Sequence, residues 1–127
     1  VDKPCGSYDV LPTVANLFGL EYESRLITGT DVLSNSEGIA IINTLNSAGG
    51  SWNWKTSEGT YYTVGKKFVP SENCTLADEA AISAYVKAIN SRVARMKKYS
   101  YAIYNNDYYR YVFNKDWTLK YPLKTDE

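Results

Sequence analysis

Paired carboxylates and one threonine are the side chains best suited to chemistry, and none has the neighbours that catalysis needs. Acid–base catalysis needs two carboxyl groups held close together in a pocket. The nearest such pairs in the sequence are Glu21 with Glu23 and Asp78 with Glu79. The first pair lies in a predicted loop and the second at a predicted helix start, so we expect solvated or capping roles. Thr13 lies in a predicted helix with no base near it in sequence, which makes it a poor nucleophile.

Histidine is absent from the 127 residues, and cysteine occurs only twice. Imidazole is the commonest general base and a leading ligand for transition metals, so Ser/His/Asp and Cys/His triads are excluded. Cys5 and Cys74 are too far apart for a CxxC redox or zinc pattern. The sequence leaves open whether they form a disulfide that closes a long loop or are two unrelated small side chains. We therefore predict no catalytic residue, no metal ligand and no cofactor in this chain.

Four aromatic residues, Trp52, Trp54, Tyr61 and Tyr62, give the sharpest binding signal among the residue types. Rings on a small hairpin can form a flat platform that stacks on sugar rings or unpaired bases. A small sheet also needs large side chains to pack beneath a covering helix. We prefer packing as the interpretation and keep ligand stacking as the alternative.

Overall charge and hydropathy argue against two classes of partner. The 14 basic and 14 acidic side chains cancel, and no RNA-binding signature is present, so we expect no nucleic-acid partner. No stretch approaches the roughly 18 apolar residues of a membrane span. We therefore expect no direct membrane insertion by this segment.

The periodicity of apolar residues predicts an α+β fold. Residues 8–18 have apolar residues at helical spacing and predict a short helix. Residues 39–44 are a β-branched run without polar alternation, which predicts a strand buried on both faces. Turn signals divide residues 52–69 into further strands of an antiparallel meander of three to four strands.

A long amphipathic helix is predicted to follow the meander. We expect Thr75 to be its N-cap, with Asp78 and Glu79 in the first turn, where the helix dipole favours negative charge. Its apolar residues step by three or four positions and should cover one face of the sheet. These residues are Ile82, Tyr85, Val86, Ile89, Val93, Met96 and Ile103. The predicted architecture is a short N-terminal helix and a small meander packed by one long C-terminal helix.

Three segments of the chain resemble a known enzyme family. Residues 7–20, which read SYDVLPTVANLFGL, resemble the S-x-x-D-I-L-P-T-L-x-N-L-x-G helix of sulfatase-like enzymes, most closely those of the lipoteichoic acid synthase type. Residues 29–34, GTDVLS, are similar to the family's G-x-D-x-x-S turn. Residues 107–113, DYYRYVF, resemble a family ending of the form D-Y-Y-R-x-V-F. The resemblance extends over about residues 4–113.

The resemblance implies a membrane-anchored parent that transfers glycerol phosphate from phosphatidylglycerol to a growing polymer, at the extracellular face of a Gram-positive cell membrane. In that family a threonine nucleophile and a divalent metal, typically manganese, attack a phosphodiester. The metal ligands include Glu, Asp and His, all upstream of the helix that residues 7–20 resemble. This chain would then be a non-catalytic C-terminal subdomain, inactive alone, whose partner is the upstream catalytic core.

Two other functions stay open on the sequence. The parent could hydrolyse sulfate or phosphate esters instead of transferring glycerol phosphate. From a different class, the chain could be an independent module that stacks cell-envelope glycans on the four aromatic rings.

The resemblance also predicts how the chain is divided. Residues 1–38 would be a remnant of the C-terminal edge of the sulfatase-like α/β core, residues 39–113 the meander and long helix, and residues 114–127 a polar tail. The helix at residues 8–18 would have lost the parallel sheet that it normally covers. We therefore predict that Val10, Leu11, Val14 and Leu17 pack on the meander or against a second copy of the chain.

Overall fold

The computed structural model describes residues 2–44 and 51–113, and these residues form the predicted α+β fold. A 3-10 turn at Ser7–Asp9 leads into helix α1, Val10–Leu17, and a second 3-10 turn occupies Ser24–Leu26. Four strands and two helices follow: β1 Ala40–Thr44, β2 Ser51–Lys55, β3 Gly59–Tyr62, β4 Lys67–Pro70, α2 Glu79–Asn105 and α3 Tyr108–Phe113. The predicted polar tail at residues 114–127 lies outside the described residues.

The four strands form one antiparallel meander in the order β1-β2-β3-β4. Their register pairs Ile41 with Trp54, Trp54 with Tyr61, and Tyr61 with Phe68. Residues that pair directly across antiparallel strands point to the same side of the sheet. These four large side chains therefore make one row across the face that α2 covers.

Helix α2 supplies the other half of the core, as its apolar stripe predicts. Ile89 and Val93 are buried against Ile39, Trp54 and Tyr61. Tyr85 and Val86 pack at the margin of this cluster, and Ile82, Met96 and Ile103 are half-buried. A sheet with one helix layer gives each strand one covered face, and this explains the concentration of aromatic rings on that face.

The predicted N-cap of α2 is wrong. Asp78 is the N-cap, and its carboxylate accepts a hydrogen bond from the Ala81 N–H at 2.7 Å. Thr75 instead donates to the Glu58 carboxylate through its backbone N–H at 2.6 Å and its hydroxyl at 2.9 Å. A carboxylate from the β2–β3 turn thus binds the residue that the sequence offers as a cap.

The prediction that residues 39–44 are buried on both faces is also wrong. Ile39 is buried, but the side chain of Ile42 is 48% exposed. Strand β1 is an edge strand, and α2 covers only one side of the sheet. The Tyr8 hydroxyl protects part of its outer edge, because it donates to the Ile39 carbonyl at 2.5 Å and accepts from the Ile41 N–H at 3.1 Å.

Helix α1 ends in a left-handed turn at Gly19, whose φ is 64°. The Leu20 N–H donates to the Ala15 carbonyl at 2.8 Å, and the Gly19 N–H donates to Asn16 at 3.3 Å, so the last carbonyls are satisfied. No helix in residues 2–44 and 51–113 combines the length and apolar character needed to cross a bilayer.

Candidate functional site

Two of the three segments that carry the family resemblance, residues 7–20 and 29–34, meet at Asp9. Its side chain is buried, and one carboxylate oxygen accepts from the Gly6 N–H at 2.9 Å. The other oxygen accepts from the Thr30 N–H at 2.8 Å. Because a buried carboxylate is tolerated only when it is well hydrogen-bonded, these bonds fix the start of α1 against residues 29–34. We call the hydrogen-bonded set of Asp9, Thr13, Thr30 and Val32 the α1 clamp.

Thr13 makes the second link of the α1 clamp. Its hydroxyl donates to the Asp9 carbonyl at 2.6 Å and accepts from the Val32 N–H at 3.0 Å. One turn further along, the Asn16 amide donates to the Asp31 carboxylate at 3.2 Å. The Thr13 hydroxyl is thus engaged on both sides and joins α1 to residues 29–34.

Gly29 is required for this close approach. A Cβ at this position would lie 1.9 Å from the Tyr8 carbonyl oxygen and 2.5 Å from its carbon. Backbone atoms cannot move aside as the end of a side chain can. The glycine therefore lets residues 29–34 contact the start of α1 directly.

The apolar face of α1 does not pack on the meander. The four residues predicted to do so are 40% to 62% exposed, with Val10 at 59%, Leu11 at 60%, Val14 at 40% and Leu17 at 62%. Pro12 and Ala15 are the buried residues of this helix. This part of the prediction is wrong, because the α1 clamp and Tyr8 orient the helix so that its opposite side faces the protein. Packing against a second copy stays a prediction.

The four candidate stacking residues do not share an exposed surface. Trp54 has no exposed area, its ring stacks on Tyr61 at 5.3 Å, and its indole N–H donates to Asn90 at 2.8 Å. Tyr61 is 9% exposed, and Trp52 is half-buried with the Lys97 amine 5.0 Å from its ring centroid. Tyr62 follows Tyr61 in the strand, points to the other side of the sheet and is 44% exposed. Trp54 and Tyr61 thus belong to the core and Trp52 packs against it, whereas Tyr62 lies outside it.

Glu21, Asp78 and Glu79 have the solvated or capping roles expected of them, whereas Glu23 forms an ion pair. Glu23 accepts hydrogen bonds from the Arg25 side chain at 2.7 and 2.8 Å, and these bonds lower the pKa of Glu23 to about 2. Glu21 and Glu79 are exposed, and Asp78 caps α2.

The two cysteines are both free thiols in the structure, Cys5 exposed and Cys74 half-buried. In the described ranges, no three His, Cys, Asp or Glu side chains cluster closely enough to hold a metal ion.

A cleft beside α2 was not identified from the sequence. Arg92 and Arg95 line it from α2, and Arg25 lines it from the segment after α1. The sequence contains one indication of this cleft. Arg92 and Arg95 are three residues apart, so they share one side of α2 beside Met96. No local pattern indicates that Arg25 joins them, since only the tertiary fold brings that segment to α2.

Comparisons with protein-family models, with curated proteins and with solved structures find no significant match to this chain. The family resemblance therefore rests on the motif residues themselves.

Proposed function

We propose that this chain is a non-catalytic C-terminal subdomain of a metal-dependent phosphoglycerol transferase of the lipoteichoic acid synthase type. The observation that carries the proposal is the α1 clamp. Residues 7–20 and 29–34 resemble two separate motifs of the family, and Asp9 and Thr13 bind the second segment directly. The motif residues thus have one shared physical task, to hold α1 in a fixed orientation.

The fixed orientation of α1 suits a docking helix. The α1 clamp and Tyr8 attach one side of the helix to the rest of the chain, while Val10, Leu11 and Leu17 stay exposed on the other side. An exposed apolar face on a rigid helix is a typical interaction surface. In the proposed parent, this face packs against the upstream catalytic core.

Under this proposal the chemistry belongs to the upstream core. That core would supply the threonine nucleophile, the histidine-containing ligand set and the divalent metal, with manganese the expected ion. The present chain would supply the α1 face and the meander with its covering helix. The parent would act at the extracellular face of a Gram-positive cell membrane in envelope polymer synthesis.

Reading the coding sequence upstream of Val1 tests the proposal directly. We expect it to encode a core with a threonine nucleophile and a histidine-containing metal site; an upstream sequence without them would refute the proposal. Incubating the isolated chain with manganese and a chromogenic phosphodiester should give no turnover. The upstream core joined to this chain is the positive control, and turnover by the isolated chain would contradict a non-catalytic role.

The glycan-binding alternative makes a different prediction for the tryptophans. A stacking platform requires saturable quenching of tryptophan fluorescence by neutral wall glycans. Because Trp54 is fully buried and Tyr61 nearly so, we expect no such quenching.

A further inference from the structure

A cleft of about 400 Å³ lies between α2, α3 and residues 25–28. Arg25, Arg92 and Arg95 contribute three guanidinium groups to its lining, and among residues 2–44 and 51–113 no acidic side chain lines it. Arg25 is paired with the nearby carboxylate of Glu23 at 2.7 Å. Counted over the described part of the chain, three guanidinium groups and the neighbouring Glu23 carboxylate give a net charge of two positive units at this cleft.

The three guanidinium groups differ in how far they are already engaged. One Arg92 nitrogen donates to the Glu37 carbonyl at 3.3 Å, which holds its stem against the protein. Within residues 2–44 and 51–113, Arg95 has no carboxylate partner, and its side chain is exposed. Since a guanidinium group carries five N–H donors, both α2 arginines keep donors for a ligand.

The rest of the cleft is apolar. Met96, Ala102 and Ile103 of α2 and Ile27 of the facing segment line it, and the rings of Tyr99 and Tyr108 lie beside them. Met96 and Thr28 also line a second cavity of about 290 Å³. The two cavities are thus neighbours, with Met96 and Thr28 lying between them.

We propose that this cleft binds an organic phosphate monoester, with its phosphate on the arginines and a short apolar body on the Met96 side. A phosphate monoester carries two negative charges above its second pKa of about 6, which matches the net charge of the cleft. Arginine binds carboxylate and phosphate alike through paired hydrogen bonds, but a phosphate monoester has three terminal oxygens and a second negative charge to share among several guanidinium groups. The apolar lining requires the second half of the ligand, because inorganic phosphate alone would leave it in contact with water.

Hexyl phosphate is the probe that tests both halves of the site. The isolated chain is labelled with nitrogen-15 and titrated at pH 8, and the amide signals of Thr28 and Ala102 report on the cleft. We expect saturable shifts with hexyl phosphate. Inorganic phosphate should bind at least about tenfold more weakly, because burial of the alkyl chain contributes to affinity. Hexyltrimethylammonium has the same alkyl chain and the opposite charge, and should not bind.

Two charge-removing variants of α2 distinguish binding in the cleft from nonspecific electrostatic attraction of the anion. Arg95→Gln should raise the dissociation constant for hexyl phosphate about tenfold or more, because a charged hydrogen bond is lost. Lys87→Gln removes an exposed cation of α2 that does not line the cleft, and should leave the constant unchanged. Circular dichroism confirms that both variants keep their helix content.

Three results would overturn the proposal: no saturable shift at Thr28 and Ala102 with millimolar hexyl phosphate, equal binding of hexyltrimethylammonium, or equal effects of Arg95→Gln and Lys87→Gln. The proposal does not depend on the parent enzyme. A failed titration would refute the phosphate site and would not bear on the proposed parent enzyme. An unrelated upstream sequence would refute the parent enzyme and would not bear on the phosphate site.

Discussion

The buried carboxylate of Asp9 accepts a hydrogen bond from the backbone N–H of Thr30 at 2.8 Å. The same side chain binds the Gly6 N–H at 2.9 Å, so one residue joins the segment before α1 to the segment that follows it. A buried acid often indicates a catalytic group. Here its oxygens are occupied by backbone donors, and its role is to position α1.

Asp9→Ala should lower the free energy of unfolding by about 2 to 4 kcal/mol, because the Gly6 and Thr30 N–H groups lose a charged acceptor. Asp2→Ala removes an exposed carboxylate near the same end of the chain and should change stability by less than about 0.5 kcal/mol. Urea denaturation followed by circular dichroism measures both values. Equal urea midpoints for the two variants would show that the hydrogen bonds of Asp9 do not stabilise the fold.

Two glycine substitutions separate a steric clash from backbone strain. Gly29→Ala places a Cβ 1.9 Å from the Tyr8 carbonyl oxygen, and we expect a loss of about 3 kcal/mol or more. Gly19 has a φ of 64° and nothing within 4 Å of an added Cβ, so Gly19→Ala should cost only the strain of about 1 to 2 kcal/mol. Thermal unfolding of both variants ranks them, and an equal or reversed order would contradict the close approach of residues 29–34 to α1.

Tyr85 should make the protein sensitive to alkaline pH. Burial, and then the hydrogen bond to Glu37, raise the pKa of Tyr85 above its ordinary value. In the unfolded chain a tyrosine ionises near pH 10. The folded state keeps Tyr85 neutral to a higher pH, so its contribution is fully present below about pH 10 and is lost as the pH rises further.

The free energy of unfolding should therefore fall more steeply above about pH 10 in the wild type than in Tyr85→Phe, which has no hydroxyl to ionise. Tyr104→Phe removes the hydroxyl of an exposed ring and should keep the wild-type slope. Urea denaturation at a series of pH values gives the three slopes. If Tyr85→Phe and the wild type had the same slope, the Tyr85 hydroxyl would not be held in its neutral form.

The parts of the fold that follow from local pattern were predictable from the sequence. The three- and four-residue steps of Ile89, Val93 and their neighbours identify the covered face of α2, and period two places Trp52 and Trp54 on one face of β2. The cap of α2 was not predictable in this way. Thr75 and Asp78 are both good N-cap residues, and the choice depends on Glu58, which lies in the β2–β3 turn and is brought to Thr75 by the tertiary fold.

The number of layers that cover the sheet also cannot be predicted from the composition of a single strand. Residues 39–44 are equally compatible with one covered face or two, and Ile42 is exposed because no second layer of the described chain covers it. The same limit applies to the cleft. Arg92 and Arg95 are visible as neighbours on α2, but Arg25 meets them only through the path of the chain after α1.

The apolar face of α1 gives the sharpest test of how the chain docks. Leu11→Glu with Leu17→Lys replaces two exposed leucines by charges placed to suit the helix dipole, so α1 itself should not be weakened. In the isolated chain we expect a change in the free energy of unfolding below about 1 kcal/mol, since neither side chain is buried. In the full-length parent the same pair should lower the melting temperature, because the charges would be buried against the core.

Val64→Lys is the matched control for this pair, because Val64 is exposed in the β3–β4 turn, away from α1. It should change neither the free energy of unfolding of the isolated chain nor the melting temperature of the parent. Light scattering of the isolated chain adds a second test. If the chain forms a dimer and the Leu11 and Leu17 substitutions dissociate it, the apolar face of α1 packs against a second copy. A parent unaffected by the pair would show that the catalytic core does not pack on α1, and the docking role would then have to be abandoned.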